Sequence, residues 1–237
     1  MRLTLLFFIS LLLFSTADGL AQDTTEVVQD SVRLKKRDNK YGLRVGLDLA
    51  KPLRTALEDG YTGFEITADF RVSKRFYAAL ELGTEEKERN EENLNSVARG
   101  SYFKIGADFN AYDNWPGLNN SIFAGLRYGF ATFKQELVSY GIYTTDQSLQ
   151  EFELRDNPQT FEGLNASWVE LIVGVKTELF NNLFLSLNVQ LKNRISETKP
   201  ENFDNLYIPG FNRTYDESKF GVGYGYTISY LIPIFKR

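Results

Sequence analysis

Two residue types are missing altogether. The 237-residue chain has no cysteine and no histidine. Without cysteine there is no disulfide, no thiol nucleophile, no thiolate metal ligand and no lipid-attachment residue of the bacterial lipoprotein kind. Without histidine as well, a zinc or copper centre is not expected. Every Ser-His and Cys-His mechanism is excluded. We therefore expect a non-enzyme, with catalytic residues, metal and cofactor all none. Long apolar runs are scarce too. The one candidate, Leu3–Phe14, is shorter than a transmembrane helix needs, so no helical span is expected. A net charge of −4 with no basic patch argues against nucleic acid. No EF-hand spacing is present, so the acidic stretches do not read as calcium loops.

Aromatic residues are abundant, at 14% with 19 Phe and 13 Tyr. That is heavy for a soluble domain and suits the interfacial girdles of a membrane barrel. Residues 1–21, MRLTLLFFISLLLFSTADGLA, read as a signal peptide with a charged start at Arg2 and a Gly19-Leu20-Ala21 cleavage site. Residues 22–40 are polar without apolar period and read as a flexible periplasmic lead-in. Residues 41–237 form the third segment.

That segment is organised around Trp168–Ile195. Val169, Leu171, Val173, Val175, Thr177 and Leu179 alternate with Trp168, Glu170, Ile172, Gly174, Lys176 and Glu178. After an Asn-rich break, Leu183, Leu185, Leu187, Val189 and Leu191 alternate with polar or aromatic partners. A period of two means strand, and each run has about the ten residues a tilted strand needs to cross a bilayer. A three-residue loop, Phe180–Asn182, would place Leu179 opposite Leu183 and keep both apolar rows on one face. Six more runs alternate likewise: Tyr41–Ala50, Phe64–Val72, Phe76–Gly83, Tyr102–Ala111, Ile122–Phe130 and Phe220–Ile234. The connections alternate in length. Stretches 51–63, 84–101, 131–167 and 196–219 are long; 73–75, 112–121 and 180–182 are shorter. Long outside loops, short periplasmic turns and an even strand count leave both termini periplasmic.

Alternation also fits a lipocalin-like barrel with its apolar face inward. Two features favour apolar-out. The polar face carries Gly42, Gly46, Gly106, Gly125, Gly129, Gly174, Gly221, Gly223 and Gly225, which make room in a crowded lumen and have no use on a solvated face. Its charges also match. Arg44, Arg71, Lys104, Arg127, Lys176, Lys192 and Arg194 stand against Asp48, Glu65, Asp69, Glu81, Asp108, Glu170 and Glu178. Buried charges need partners, and a neutral lumen network supplies them. The fold expected is all-β: an eight-stranded antiparallel up-and-down transmembrane β-barrel.

The signal peptide, the eight strands and the aromatic last run FGVGYGYTISYLIPIF resemble the small OmpA/OmpX-type outer-membrane barrels. Within that group the chain is similar to an uncharacterised family of Bacteroidota outer-membrane proteins. The resemblance covers roughly 41–237 and rests on FAGLRYGF, WVELIVGVKTEL and the Tyr-rich end. One departure is that Lys236 and Arg237 follow the last aromatic, Phe235, where such barrels usually end on an aromatic residue. The resemblance implies a monomer in the outer membrane of a Gram-negative bacterium. Its partners would be outer-membrane lipids, lipopolysaccharide and, during insertion, the barrel-assembly machinery.

Two groups of residues are candidates for function. The lumen charges could line an ion path or hold a carboxylate pair, but a salt-bridged plug is the stronger reading, because eight strands leave little open lumen. The loop aromatics Tyr140, Tyr143, Phe152, Phe161, Phe203, Tyr207, Phe211 and Tyr215 could meet an extracellular ligand or partner, or pack on one another to fold the loops. The expected role is outer-membrane structure or surface binding. The alternatives are a soluble periplasmic lipocalin-like binding barrel and a narrow pore.

Overall fold

The computed structural model describes residues 40–112, 120–141, 154–215 and 217–236. The expected signal peptide and nearly all of the lead-in fall outside them, as do Tyr143 and Phe152. The described chain is dominated by strands, numbered here in chain order. They are β1 (Lys40–Asp48), β2 (Tyr61–Arg71), β3 (Phe76–Glu91), β4 (Leu94–Asn110), β5 (Ser121–Gly141), β6 (Leu154–Phe180), β7 (Leu183–Glu197), β8 (Tyr207–Ile208), β9 (Asn212–Arg213) and β10 (Phe220–Lys236), with one helix, α1 (Ala50–Leu57). Eight of the strands close into a ring in the order β1-β10-β7-β6-β5-β4-β3-β2, every pair antiparallel. The short β8 and β9 pair only with each other.

Side-chain direction follows the period of two. On β6, Leu171, Val173 and Val175 are exposed while Glu170, Ile172 and Lys176 are buried. The apolar rows face outward on all eight wall strands, and the charged, glycine-rich rows face the lumen. The glycines stand where a side chain would collide. A Cβ on Gly129 would meet the Trp168 ring, and one on Gly106 would meet the Leu126 carbonyl across the ladder.

Most strands are longer than their apolar runs. The sequence places loops at 84–101 and 131–167, yet β3 and β4 pair continuously to a tight turn at Glu91↔Leu94, and β5 and β6 pair to Gly141↔Leu154. Beyond Leu82 the outward row of β3 becomes Thr84, Glu86 and Glu88. The ladder continues without an outward apolar row, so the apolar period marks the apolar band and not the strand. The β6–β7 turn also differs. Asn181 and Asn182 form a two-residue turn closed by Phe180↔Leu183, and a bulge at Leu179 restores the register Val175↔Leu187. Asn182 takes the left-handed conformation, φ 67°, which Asn tolerates better than most residues.

Within 51–63 the chain forms α1, which the period of two gives no hint of. β1 stops at Asp48, where the carboxylate accepts the N–H groups of Ala50 (2.8 Å) and Tyr226 (3.1 Å). Its neighbours run on. β10 pairs with β1 only at Thr227 and beyond, while Phe220–Tyr226 pair with β7 alone. β2 pairs with β1 from Ile66 to Phe70, while Tyr61–Glu65 pair with β3 alone. Above Asp48 the wall therefore lacks a strand, and α1 stands there.

Candidate functional site

The lumen charges form two layers. In the first, Arg44 and Lys176 both bind Asp69, each at 2.7 Å, and the Arg44 guanidinium lies over the rings of Tyr77 and Phe184. In the second, Arg127 bridges Asp108 (2.7 Å) and Glu81 (3.2 Å), and Lys104 joins Glu81 (2.8 Å), Glu65 (3.2 Å) and Glu170 (3.9 Å). Lys192 completes the chain to Glu170 at 3.5 Å. Trp168 Nε1 and Tyr102 Oη donate to Glu170 and Glu65 at 2.7 and 2.5 Å. Between the two layers lies a void of about 40 Å³ lined by Asp69, Glu81, Asp108, Arg127 and Lys176.

Four residues grouped with this network in sequence sit elsewhere. Asp48 caps the break after β1. Arg71 donates to the carbonyls of Ser73 and Lys74 at the β2–β3 turn and lies over Tyr41. Glu178 accepts the Asn182 N–H (2.9 Å) at the β6–β7 turn. Arg194 binds Glu197 on its own strand at 3.0 Å. Parity assigns a face, but height along the strand decides which charges meet.

Above the charge layers, the stretch after β7 folds inward. Ile208 and Phe211 pack with Tyr102, Ala131, Phe133, Leu164, Ala166 and Trp168, all from the lumen face of β4–β6. Phe211 meets Trp168 edge-on at 5.9 Å. Gln135 holds the stretch at both ends of its amide, donating to the Asp204 carbonyl and accepting the Leu206 N–H, both at 2.9 Å. Of the loop aromatics, Tyr207 and Phe211 are thus buried in the lumen, whereas Tyr215 is exposed. Phe161 stacks on Phe203 at 6.0 Å, and Tyr140 belongs to β5.

The hub of this roof is Glu85, a residue with no distinguishing sequence signal beyond its parity. It lies past Leu82, the last apolar outward residue of β3, and is fully buried. It pairs with Lys51 of α1 and accepts from Tyr61 Oη (3.0 Å), Tyr207 Oη (2.7 Å) and the Gly210 N–H (2.8 Å). Burial alone would raise its carboxyl. The Lys51 ammonium, the Gly210 N–H and the Tyr207 hydroxyl outweigh burial and hold it at about 2, below its ordinary 4.5.

The roof fills the β4–β6 side. On the α1 side it leaves a cavity of about 990 Å³, lined by Lys51 and Arg54 of α1, Lys104 and Lys192 at its floor, Tyr207, and Val222–Tyr224 of β10. Among the described residues no group of acidic side chains has the arrangement of a metal site. The cavity is a chamber of mixed polarity that stands above the ion-paired layer.

Residues 4–237 match the model of one protein family, described as a domain of unknown function (DUF6048). No curated protein matches the chain.

Proposed function

The chain belongs to that family, and from this premise we propose that it is a small integral outer-membrane β-barrel protein that binds a ligand at the cell surface, without enzymatic activity. The observation that carries the reading is the unbroken outward apolar surface. Val45, Ile66, Leu80, Ile105, Leu126, Val173, Val189 and Ile232, one from each wall strand, are 39–64% exposed. A soluble protein rarely exposes so much contiguous apolar surface, and a bilayer is the solvent that covers it. The charged interior supports the same orientation. The lipocalin-like alternative needs the reverse one, with apolar residues lining the lumen. In this reading both termini lie in the periplasm, the roofed end faces outward, and lipids and lipopolysaccharide surround a monomer.

The two charge layers and the small void between them favour binding over conduction. The cavity ends on Lys104 and Lys192, whose ion partners close the lumen beneath it.

Cysteine labelling tests the orientation, and the absence of native cysteine keeps it clean. Val173→Cys should react with a lipid-soluble maleimide and resist a charged one in whole outer membranes. Lys176→Cys should react slowly with both. Rapid labelling of Lys176→Cys by the charged reagent, with Val173→Cys shielded from both, would overturn the proposal.

A further inference from the structure

We propose that the cavity is a lateral binding site for a single-chain zwitterionic amphiphile, taken up from the surrounding leaflet through the gap in the wall that α1 occupies. The inference rests on the membrane reading above and goes further by naming the ligand class and its route.

The gap follows from pairing. Tyr61–Glu65 of β2 and Phe220–Tyr226 of β10 each lack a strand neighbour on the side where β1 has ended. α1 fills the gap incompletely, and beyond its N-cap it is anchored on one side. The Gly63 N–H donates to Thr55 Oγ1 at 3.0 Å, and the Tyr61 N–H donates to the Glu58 carbonyl at 3.3 Å. Both anchors are on β2. On the other side the backbone tie is at the N-cap, where the Leu49 N–H donates to the Tyr226 carbonyl of β10 at 2.6 Å, so beyond that point the side toward β10 is the freer one.

α1 has two unlike faces. Lys51 is buried against Glu85, and Arg54 is half-buried over the Tyr61 ring at 3.8 Å. Leu53 and Leu57, one turn apart, are 56% and 77% exposed. A helix that sets charges toward a lumen and leucines outward, level with the upper edge of an apolar band, matches the interface of a bilayer. A strand in this place would seal the wall with backbone bonds; a helix tied to β10 only at its N-terminal end makes a panel that can swing.

The chamber behind it sets the ligand class. About 990 Å³ is ample for one small ligand. Ala50, Ala98 and Leu206 give it apolar wall, while its charged lining is mixed in sign, seven cations and six anions, some of them paired, as Arg54 with Glu58 and Lys104 with Glu65. Walls so nearly balanced in sign favour no ligand of strong net charge. A head bearing both signs can lie among them, and a single chain can follow through the gap.

The test uses the full mature protein in detergent, with lysophosphatidylcholine as the probe and native mass spectrometry as the readout. One lysophosphatidylcholine per protein should be retained. Glycerophosphocholine, the same head without the chain, should not be. Ala98→Trp, on wall strand β4, and Leu206→Trp, on the inward-folded stretch, both line the chamber and should each lower retention about tenfold or more. Only variants that still migrate differently before and after boiling are counted. Absence of retention by the unmodified protein, equal retention of glycerophosphocholine, or full retention by both counted variants would overturn the inference. Failure of the probe with Val173→Cys still facing lipid sinks this inference alone. Failure of the labelling pattern sinks the membrane reading.

Discussion

Arg127 and Glu85 carry unlike burdens. Arg127 sits between Asp108 and Glu81 and neutralises both in a closed part of the lumen. Arg127→Ala leaves two buried carboxylates short of a cation and should cost on the order of 3–5 kcal/mol, read as a lower midpoint in denaturant unfolding. Glu85 acts on the roof instead. Its carboxyl titrates below the ordinary value, so its stabilisation is complete above the unfolded value and is lost as pH falls through the folded one. Roof attachment should hold steady from neutral pH down to about 4.5 and loosen between there and about 2. Hydrogen exchange at the Gly210 amide, followed against pH, checks this. Glu85→Gln should flatten the dependence. Unchanged protection of that amide down to pH 2 would show that the roof is held by other contacts.

Among the elements, the inward-folded stretch after β7 is the one most exposed to a single change. Phe211 is almost wholly buried against Trp168. Phe211→Ala should cost roughly 3–5 kcal/mol of local stability and open 198–219 to added protease while the wall strands stay intact. The wall was legible in sequence because Leu171, Val173 and Val175 repeat with a period of two that recurs in each of the other wall strands. Its height was not, because Thr84, Glu86 and Glu88 keep the strand geometry without apolar side chains to announce it. α1 went unseen for a related reason: AKPLRTAL is short, and its leucines face outward, so no core-facing pattern marks it. The charge rows could be assigned to the lumen by parity. Which charges meet depends on the stagger of strands, and the sequence does not write that stagger. It left Arg194 grouped with Glu170, whereas the structure pairs Arg194 with Glu197. Glu85 shows the same limit. One glutamate among several in 84–98 becomes the hub because Lys51, Tyr61 and Tyr207 arrive at its height from three distant segments.

For the molecule as a whole, two charge layers with a void of only about 40 Å³ between them narrow the lumen, and the proposed plug has a direct test. Planar-bilayer recordings of the reconstituted protein should show no large, steady conductance; a reproducible open channel would contradict the closed charge layer. The ring also fixes an order of events. Seven of its eight seams join strands adjacent along the wall sequence, and β1–β10 alone joins the first strand to the last. The seven can form one after another, each closing a loop far shorter than the chain. The eighth must wait for a closure spanning nearly the whole described chain, and long-range closure is what slows β topologies. Assembly therefore runs against a clock set at that seam. Until Leu43 meets Ile232, the nearly finished sheet carries two bare edges, and any other unpaired strand nearby competes for them.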